Sequence, residues 1–389
     1  MDERKLISRT FLEIADALEK GKSLGGHRIG ITTLGSEHGE KALIEGALLA
    51  KERFPQIEVV LIGPKNDSGL ETLEADNEEE QYKVMEKALD EKNIEACVTM
   101  HYNFPIGVST VGKVVTPANG KEVYIATTTG TSSAHRVEGM VKNAVYGIIA
   151  AKSAGVKNPT VGILNVDGAR QVEIVLKNLK SKGYDIEFGE SERADGGNVL
   201  RGNDLLLGAV DVVVTDTLTG NLLIKLFSSF TSGGKYEVTG SAYGPGIGEG
   251  YDRNVLILSR ASGVPVIANA IKYAFDVVNG NINKVAADEF KKLNALKWLD
   301  LVKKDDAKKS SSSDEEVKAP AKVPVTGTIS GIDIMELEDA VKCLWKAGIY
   351  AESGMGCTGP VLLVPEDKIN ESTDALGKGG YIAAEKSDC

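Results

Sequence analysis

The sequence predicts an α/β fold: a doubly wound, mostly parallel sheet in Rossmann-like layers, with a small α+β C-terminal tail after a flexible linker. Three observations predict it. Short β-branched runs alternate with amphipathic helical stretches from residue 27 to residue 302, and a crossover of that length brings the next strand back parallel to the last. The alternation starts afresh at PTVGILNV (159–166). A charge- and serine-rich stretch, KKDDAKKSSSSDEEVKAPAKVP, then interrupts it with almost nothing to bury.

Taken in order, HRIGITTLG (27–35) reads as a buried strand, 39–55 as a helix and IEVVLIG (57–63) as a second strand, one βαβ unit. An acidic helix (78–91), the strand EACVTM (95–100), a mixed segment, the strand EVYIATTTG (122–130) and a long helix (134–154) follow. The second round gives strand 159–166, helix 170–182, strand 185–189, a short helix 201–208 and the strand DVVVTD (211–216). A helix over 219–230, a glycine-rich loop (240–250), the strand NVLILS (254–259) and helices near 265–279 and 284–302 complete the core. Gly244, Gly246, Gly248 and Gly250 fall at every second position without dinucleotide-binding spacing, so this loop is expected to be mobile, in the manner of a lid. The expected organisation is thus a core over 1–302, a linker over 303–325 and a cysteine-bearing tail over 326–389. In the tail, GIDIMELEDAVKCLWKAG reads as a helix and GPVLLVP as a short strand. A flexible linker of this length has an end-to-end distance of roughly 25 Å, enough to reach the chain's own core or a partner.

Charge and composition narrow the function. Lys and Arg total 45 against 56 Asp and Glu, a formal charge of −11, which repels nucleic acid and anionic membrane surfaces. No run approaches the ~20 apolar residues of a membrane span. The first 22 residues pattern as an amphipathic helix without the apolar stretch of a signal peptide, so a cytoplasmic protein is expected. Four cysteines (Cys97, Cys343, Cys357, Cys389) and four histidines show neither disulfide-framework nor metal-ligand spacing; no metal is expected. Gly21-Lys22-Ser23 ends like a nucleotide-binding loop, but Asp16 occupies the place of its first glycine.

Ligands in such sheets gather at the carboxyl ends of strands, where helix starts present free N–H groups to anions. Four such ends carry hydroxyl- and glycine-rich turns: Leu34–Gly39, Thr127–Ser133 (with Thr129, Gly130 and Thr131), Asn165–Gly168, and Asp216–Asn221 (with Thr219, Gly220 and Asn221). Each is also an ordinary helix cap, so both readings stand. Arg136, Lys225 and Arg253 lie beside these turns as candidate cations. Among the thiols, Cys357 sits in GMGCTGPVLLV, where Gly356 and Thr358 flank it with N–H groups suited to a thioester oxyanion. A free thiol of pKa ~8.5 is only about 3% ionised at pH 7, so a nucleophile here needs a nearby cation or helix start. Its own residues leave Cys357 either a small loop residue or a nucleophile, and Cys97 either a strand hydrophobe or a second candidate.

HRIGITTLGSEHGEKALIEGALLAKERFPQIEVVLIG, PTVGILNV and above all RGNDLLLGAVDVVVTDTLTGNLLIK resemble the phosphate acyltransferases of phospholipid synthesis over residues 27–280. The first turn departs from that family's aspartate-led DAMGGD-type stretch, and the tail is foreign to it. Core and tail together, including ESGMGCTGPVLLVPE, resemble the alpha subunits of component C of the glycine/sarcosine/betaine reductase complex over essentially the whole chain. The resemblance implies a phosphate acyltransferase-like fold and an acetyl group taken as a cysteine thioester. It is then released by inorganic phosphate as acetyl phosphate. The family's acyl-carrying cysteines fall on Cys357 and Cys97. A phosphate pocket is implied at Thr219, Gly220 and Asn221, with Asn165, Thr129, Gly130 and Thr131. The implied partners are the component C beta subunit and the selenoprotein component A with its carboxymethyl group, and the chemistry calls for no cofactor. Two other readings compete: a free-standing phosphate acyltransferase acting on acyl carrier thioesters, and a non-catalytic docking subunit.

Overall fold

The structure, a computed structural model, describes residues 26–192, 196–302, 317–332, 336–356 and 359–382. The first round of the chain gives β1 (His27–Thr32), α1 (Gly39–Arg53), β2 (Ile57–Gly63), β3 (Glu71–Glu74), α2 (Glu78–Asp90) and β4 (Ala96–Thr99). β5 (Ser109–Val115), β6 (Glu122–Gly130), α3 (Arg136–Ser153), β7 (Thr160–Leu164), α4 (Ala169–Ser181), β8 (Glu187–Phe188) and β9 (Val199–Leu200) follow. Then come α5 (Gly202–Leu207), β10 (Val212–Val214), α6 (Thr217–Ser229), β11 (Gly244–Ile247), β12 (Val255–Ile257), α7 (Val264–Asn279) and α8 (Ile282–Ala295).

These strands form one 12-stranded sheet in the order β3-β2-β1-β4-β12-β11-β5-β6-β10-β7-β8, with β9 also paired to β7. β3 to β12 are mutually parallel, and so are β6, β10, β7, β8 and β9. Between the two parallel halves β11 pairs antiparallel with both β12 and β5, and β5 antiparallel with β6. The halves therefore run in opposite directions and meet at a seam made by β5 and β11. β4 is wholly buried and β1 is buried beyond its first two residues, with Ile29, Ile31, Ala96 and Val98 at 0% exposure, as follows from helices covering both faces.

The seam corrects one expectation. The glycine-rich loop contains β11, a fully buried strand, and is no lid over this stretch. Its alternate glycines are there for close approach: a Cβ on Gly244, whose φ is +79°, would lie 1.8 Å from the Val111 carbonyl oxygen, and one on Gly246 would lie 2.3 Å from the Phe104 ring. The mixed segment likewise holds β5, whose antiparallel pairing keeps the sheet from being parallel throughout.

Much of the expected linker, 303–316, lies outside the described residues. Beyond it, β13 (Gly327–Ser330), α9 (Leu337–Lys346), β14 (Glu352–Gly356), β15 (Gly359–Val364) and α10 (Ile369–Gly379) form a separate unit. Its three-stranded antiparallel sheet has the order β13-β15-β14. Leu337, Val341, Leu344, Leu362, Val364 and Leu376 are among the residues of its own core. Cys343 of α9 packs in this unit, its Sγ 3.9 Å from the Ala375 carbonyl oxygen.

Candidate functional site

The strand end that carries Thr129, Gly130 and Thr131 is built by hydroxyl-to-hydroxyl bonding across the seam. Thr110 Oγ1 of β5 lies 2.7 Å from Thr128 Oγ1 and 3.0 Å from Thr129 Oγ1, and accepts the Thr129 amide at 3.0 Å. Thr128 Oγ1 also donates to the Tyr243 carbonyl at 2.9 Å, tying β6 to the start of β11. Thr110 and Thr128 are buried and Thr129 is part-buried, so their hydroxyls satisfy one another and fix the backbone that follows.

The start of α6 presses on the same strand end. A Cβ on Gly220 would stand 1.9 Å from the Thr127 carbonyl oxygen, so glycine is what lets the helix start reach β6. Asn221 Nδ2 donates to the Thr128 carbonyl at 3.2 Å, and Thr127 Oγ1 lies 3.3 Å from Thr217 Oγ1. Asp216 caps the helix: it accepts from the Thr219 amide at 3.0 Å and from the Thr219 hydroxyl at 2.7 Å. Thr219 is thus engaged as a cap. Arg136 Nη2 lies 3.4 Å from Asp216 Oδ2 while its Nε donates to the Asp167 carbonyl at 2.9 Å, placing a cation between two of the sequence-named turns.

A cavity of about 410 Å³ opens beside this strand end. Thr129, Gly130 and Thr131 line it from β6, Ile257 from β12, and the Met100–Ile106 connection between β4 and β5 supplies the opposite wall. His101 and Asn103 of that wall are functional candidates that sequence reasoning did not single out. The signal was present in the polar HYN that follows EACVTM, another strand end of the kind searched. Asn103 and Thr131 stand on opposite sides of this lining. Asn165 stands at the end of β7, two strands from β6, with an exposed side chain. The structure thus joins Thr129, Gly130, Thr131, Gly220 and Asn221, and leaves Asn165 apart.

The other named residues have different surroundings. In the first turn, Gln81 Oε1 accepts the Thr33 and Leu34 amides at 2.9 Å each, and the Glu37 amide goes to the Arg260 carbonyl, so these donors serve the fold. Lys225 of α6 reaches Glu237 Oε1 at 2.6 Å and bonds Ser259. Burial alone would lower its pKa, but the Glu237 carboxylate outweighs that and holds the ammonium above its usual value. Arg253 pairs with Glu86 and Asp90, each at 2.9 Å, and donates to the hydroxyl of Tyr102, a residue of the cavity lining, at 3.1 Å. Cys97 lies inside β4 at 0% exposure, among Val60, Ile62, Met85, Ala88 and Ile94. Burial pushes its thiol far above the ordinary range. A thiol so placed offers neither the thiolate nor the access that acyl transfer needs.

Cys357 and Thr358 lie outside the described residues. Their neighbours are placed: β14 and β15 pair up to Gly356 opposite Gly359, so the sequence pair 357–358 falls between two strands of the tail sheet. That tail touches the first turn of α4. Gln171 of α4 bonds Glu336, and Gly331 lies so close to the Arg170 guanidinium that a Cβ there would be 2.7 Å from it. Arg170 and Gln171 open α4, just after Asn165–Gly168, and Arg136 links that turn to Asp216 at the start of α6. Among the described residues no group of three His, Cys, Asp or Glu side chains could hold a metal ion, and no helix is long and apolar enough to cross a membrane.

The profile of the family described as "Fatty acid synthesis protein" matches residues 27–363. The glycine/sarcosine/betaine reductase complex component C subunit alpha of Peptoclostridium acidaminophilum is 60% identical over 384 residues, covering 98% of this chain and 100% of that one. A phosphate acyltransferase of Thermotoga petrophila is 30% identical over 234 residues, 51% of this chain and 66% of that protein. Among solved structures, a branched-chain phosphotransacylase from Enterococcus faecalis V583 matches with a TM-score of 0.45 at 16% identity, covering 65% of this chain and 99% of that one. The chain belongs to the fatty acid synthesis protein family and, within it, to the component C alpha subunits of glycine/sarcosine/betaine reductase complexes.

Proposed function

We propose that the protein transfers an acetyl group from a thioester on Cys357 to inorganic phosphate, releasing acetyl phosphate. The observation that carries the reading is the cavity at the end of β6, where Thr129, Gly130 and Thr131 line a space of about 410 Å³ beside the start of α6. Phosphate would meet the polar groups of Thr129–Thr131, while Gly220 and Asn221, whose donors go to the Asp216 and Thr128 carbonyls, hold the α6 start against that strand end. Asp216 would repel an anion there if it stood alone; Arg136 lies against it and offsets its charge. Thr219 acts through Asp216, and Asn165, two strands away, takes no part in this pocket. A phosphate oxygen attacks the thioester carbonyl and a C–O bond forms. The tetrahedral oxyanion is held by N–H groups around Gly356 and Thr358. The C–S bond then breaks, and the Cys357 thiolate leaves as acetyl phosphate forms.

Docking of the tail on α4, next to the turn that Arg136 joins to Asp216, supports delivery of the acetyl group within one chain. Kinship with a component C alpha subunit supports the partners: a component C beta subunit and a selenoprotein component A as acyl source, in the cytoplasm, with neither nucleic acid nor membrane. Kinship with phosphate acyltransferases over about half the chain favours, as a second reading, a free-standing enzyme using acyl carrier thioesters. Arsenate separates the two. The protein, alone and with its beta subunit, is expected to hydrolyse acetyl phosphate when arsenate is present, because acetyl arsenate falls apart in water. Turnover confined to long acyl thioesters would move the assignment to the second reading, and no turnover in either arrangement would remove both.

A further inference from the structure

The cavity beside β6 has an apolar side as well as a polar one. Thr129, Gly130 and Thr131 supply hydroxyl and amide groups, whereas Phe104 and Ile257 supply hydrocarbon from the other half of the sheet. Ile257 belongs to the buried cluster on that face, and Phe104 packs against the same cluster. Phe104 lies in an irregular connection, yet its ring is held by its neighbours. It rests on β11 at Gly246, where a Cβ would come within 2.3 Å of the ring. The Tyr102 and Tyr251 rings meet it nearly edge-on, with centroids 5.1 Å and 5.8 Å away. Tyr102 is anchored in turn: its hydroxyl donates to Glu86 at 2.9 Å and accepts from Arg253 at 3.1 Å, and Arg253 pairs with Asp90 of α2. Moving this aromatic wall would break charge-assisted contacts.

We propose that Phe104 sets the length of acyl group this site accepts: its ring closes the apolar side of the cavity, so that acetyl fits and butyryl is excluded. The proposal rests on the acyl-transfer reading above and names the residue that selects the substrate. The orientation follows from the chemistry of an acyl phosphate, which has an anionic end and a hydrocarbon end. The anion takes the donors of Thr129–Thr131, and the chain is left facing Phe104 and Ile257, where apolar surface covers it. Each further methylene then meets a ring backed by Gly246 and flanked by Tyr102 and Tyr251. One methylene in an apolar pocket changes discrimination by about 10–200-fold, enough to confine the transfer to short acyl groups. Of the two apolar residues, Ile257 is fixed as part of β12. Phe104 stands outside any strand, so a change of its side chain reshapes the cavity and leaves the sheet pairing intact.

The test compares arsenolysis of acetyl, propionyl and butyryl phosphate by the full chain with its beta subunit. In the wild type, kcat/KM for butyryl phosphate is expected to be about a hundredfold below that for acetyl phosphate. In Phe104→Ala the butyryl-to-acetyl ratio is expected to rise at least tenfold. In Phe104→Trp, which fills the cavity further, the propionyl-to-acetyl ratio is expected to fall about tenfold. These opposite shifts separate a specificity role from a structural one, because a variant that is merely loosened loses turnover of every acyl phosphate alike. If circular dichroism shows that Phe104→Ala does not fold, Phe104→Leu takes its place, with a shift of several-fold in the same direction. A wild type that uses butyryl phosphate as well as acetyl phosphate, or ratios that stay constant across the variants, overturns the proposal while the acyl-transfer reading stands. A wild type that turns over none of the three removes that reading and this proposal together.

Discussion

Asn221 holds α6 to β6 by one hydrogen bond, from its side-chain amide to the Thr128 carbonyl at 3.2 Å. Asn221→Ala is therefore expected to cost about 1 kcal/mol of stability and to raise the KM for phosphate about tenfold, read by thermal unfolding and by arsenolysis kinetics. An unchanged KM would remove Asn221 from the phosphate site. Gly244 makes a sharper structural demand. Ala there would need both a left-handed backbone and a side chain where the Val111 carbonyl stands, so Gly244→Ala is expected to cost about 3 kcal/mol or more. At this scale the sequence revealed residue type but not environment. Thr129, Gly130 and Asn221 were legible as strand-end polar residues. The burial of Cys97 was not, because a thiol in a strand reads alike whether the strand is central or at an edge. His101 and Asn103 were missed because the wall they belong to is an irregular connection, defined only by what it faces.

At the scale of elements, α8 is anchored by a buried carboxylate. Glu289, its side chain 4% exposed, pairs with Lys152 of α3 at 3.0 Å and Lys292 at 2.9 Å, and accepts the Tyr184 hydroxyl at 2.8 Å. Burial alone would raise its pKa, but hydrogen bonds from Lys292, Tyr184 and Lys152 hold it below the ordinary carboxylate value. The stabilisation is accordingly full above the unfolded value of about 4.3 and is lost as pH falls through the lower folded value. Glu289→Gln is expected to lower stability by roughly 2–3 kcal/mol at neutral pH. The gap in Tm between variant and wild type should hold down to about pH 4 and shrink below it; a gap independent of pH would contradict the charged role. The parallel strands were readable because buried Val and Ile runs alternate with helices of fixed period. β11 was not, since GPGI contains no strand-forming side chain until Ile247, and its conformation is dictated by β5 and β12 on either side.

At the scale of the molecule, two parallel half-sheets of opposite direction meet at the β5–β11 seam, with the candidate cavity beside it. The separate tail sheet docks beside α4. The alternating pattern foretold parallel strands, but the halves do not divide at the restart near residue 159, because β6 precedes it and β12 returns to the first half; that exchange and the antiparallel seam depend on long-range pairing that periodicity does not encode. The tail has its own small sheet and core, and its docking rests on single contacts at Arg170, Gln171, Gly331 and Glu336. Gln171→Ala, which removes one of these contacts, is expected to slow acetyl release several-fold without changing the fold, measured by arsenolysis and circular dichroism. The central claim is that Cys357 carries the acetyl group. Acid-quenched protein treated with acetyl phosphate, then digested and analysed by mass spectrometry, tests it most directly. The account predicts one acetyl group on Cys357, lost on addition of phosphate or arsenate, and no arsenolysis by Cys357→Ala; acetylation elsewhere, or full activity in that variant, would contradict it.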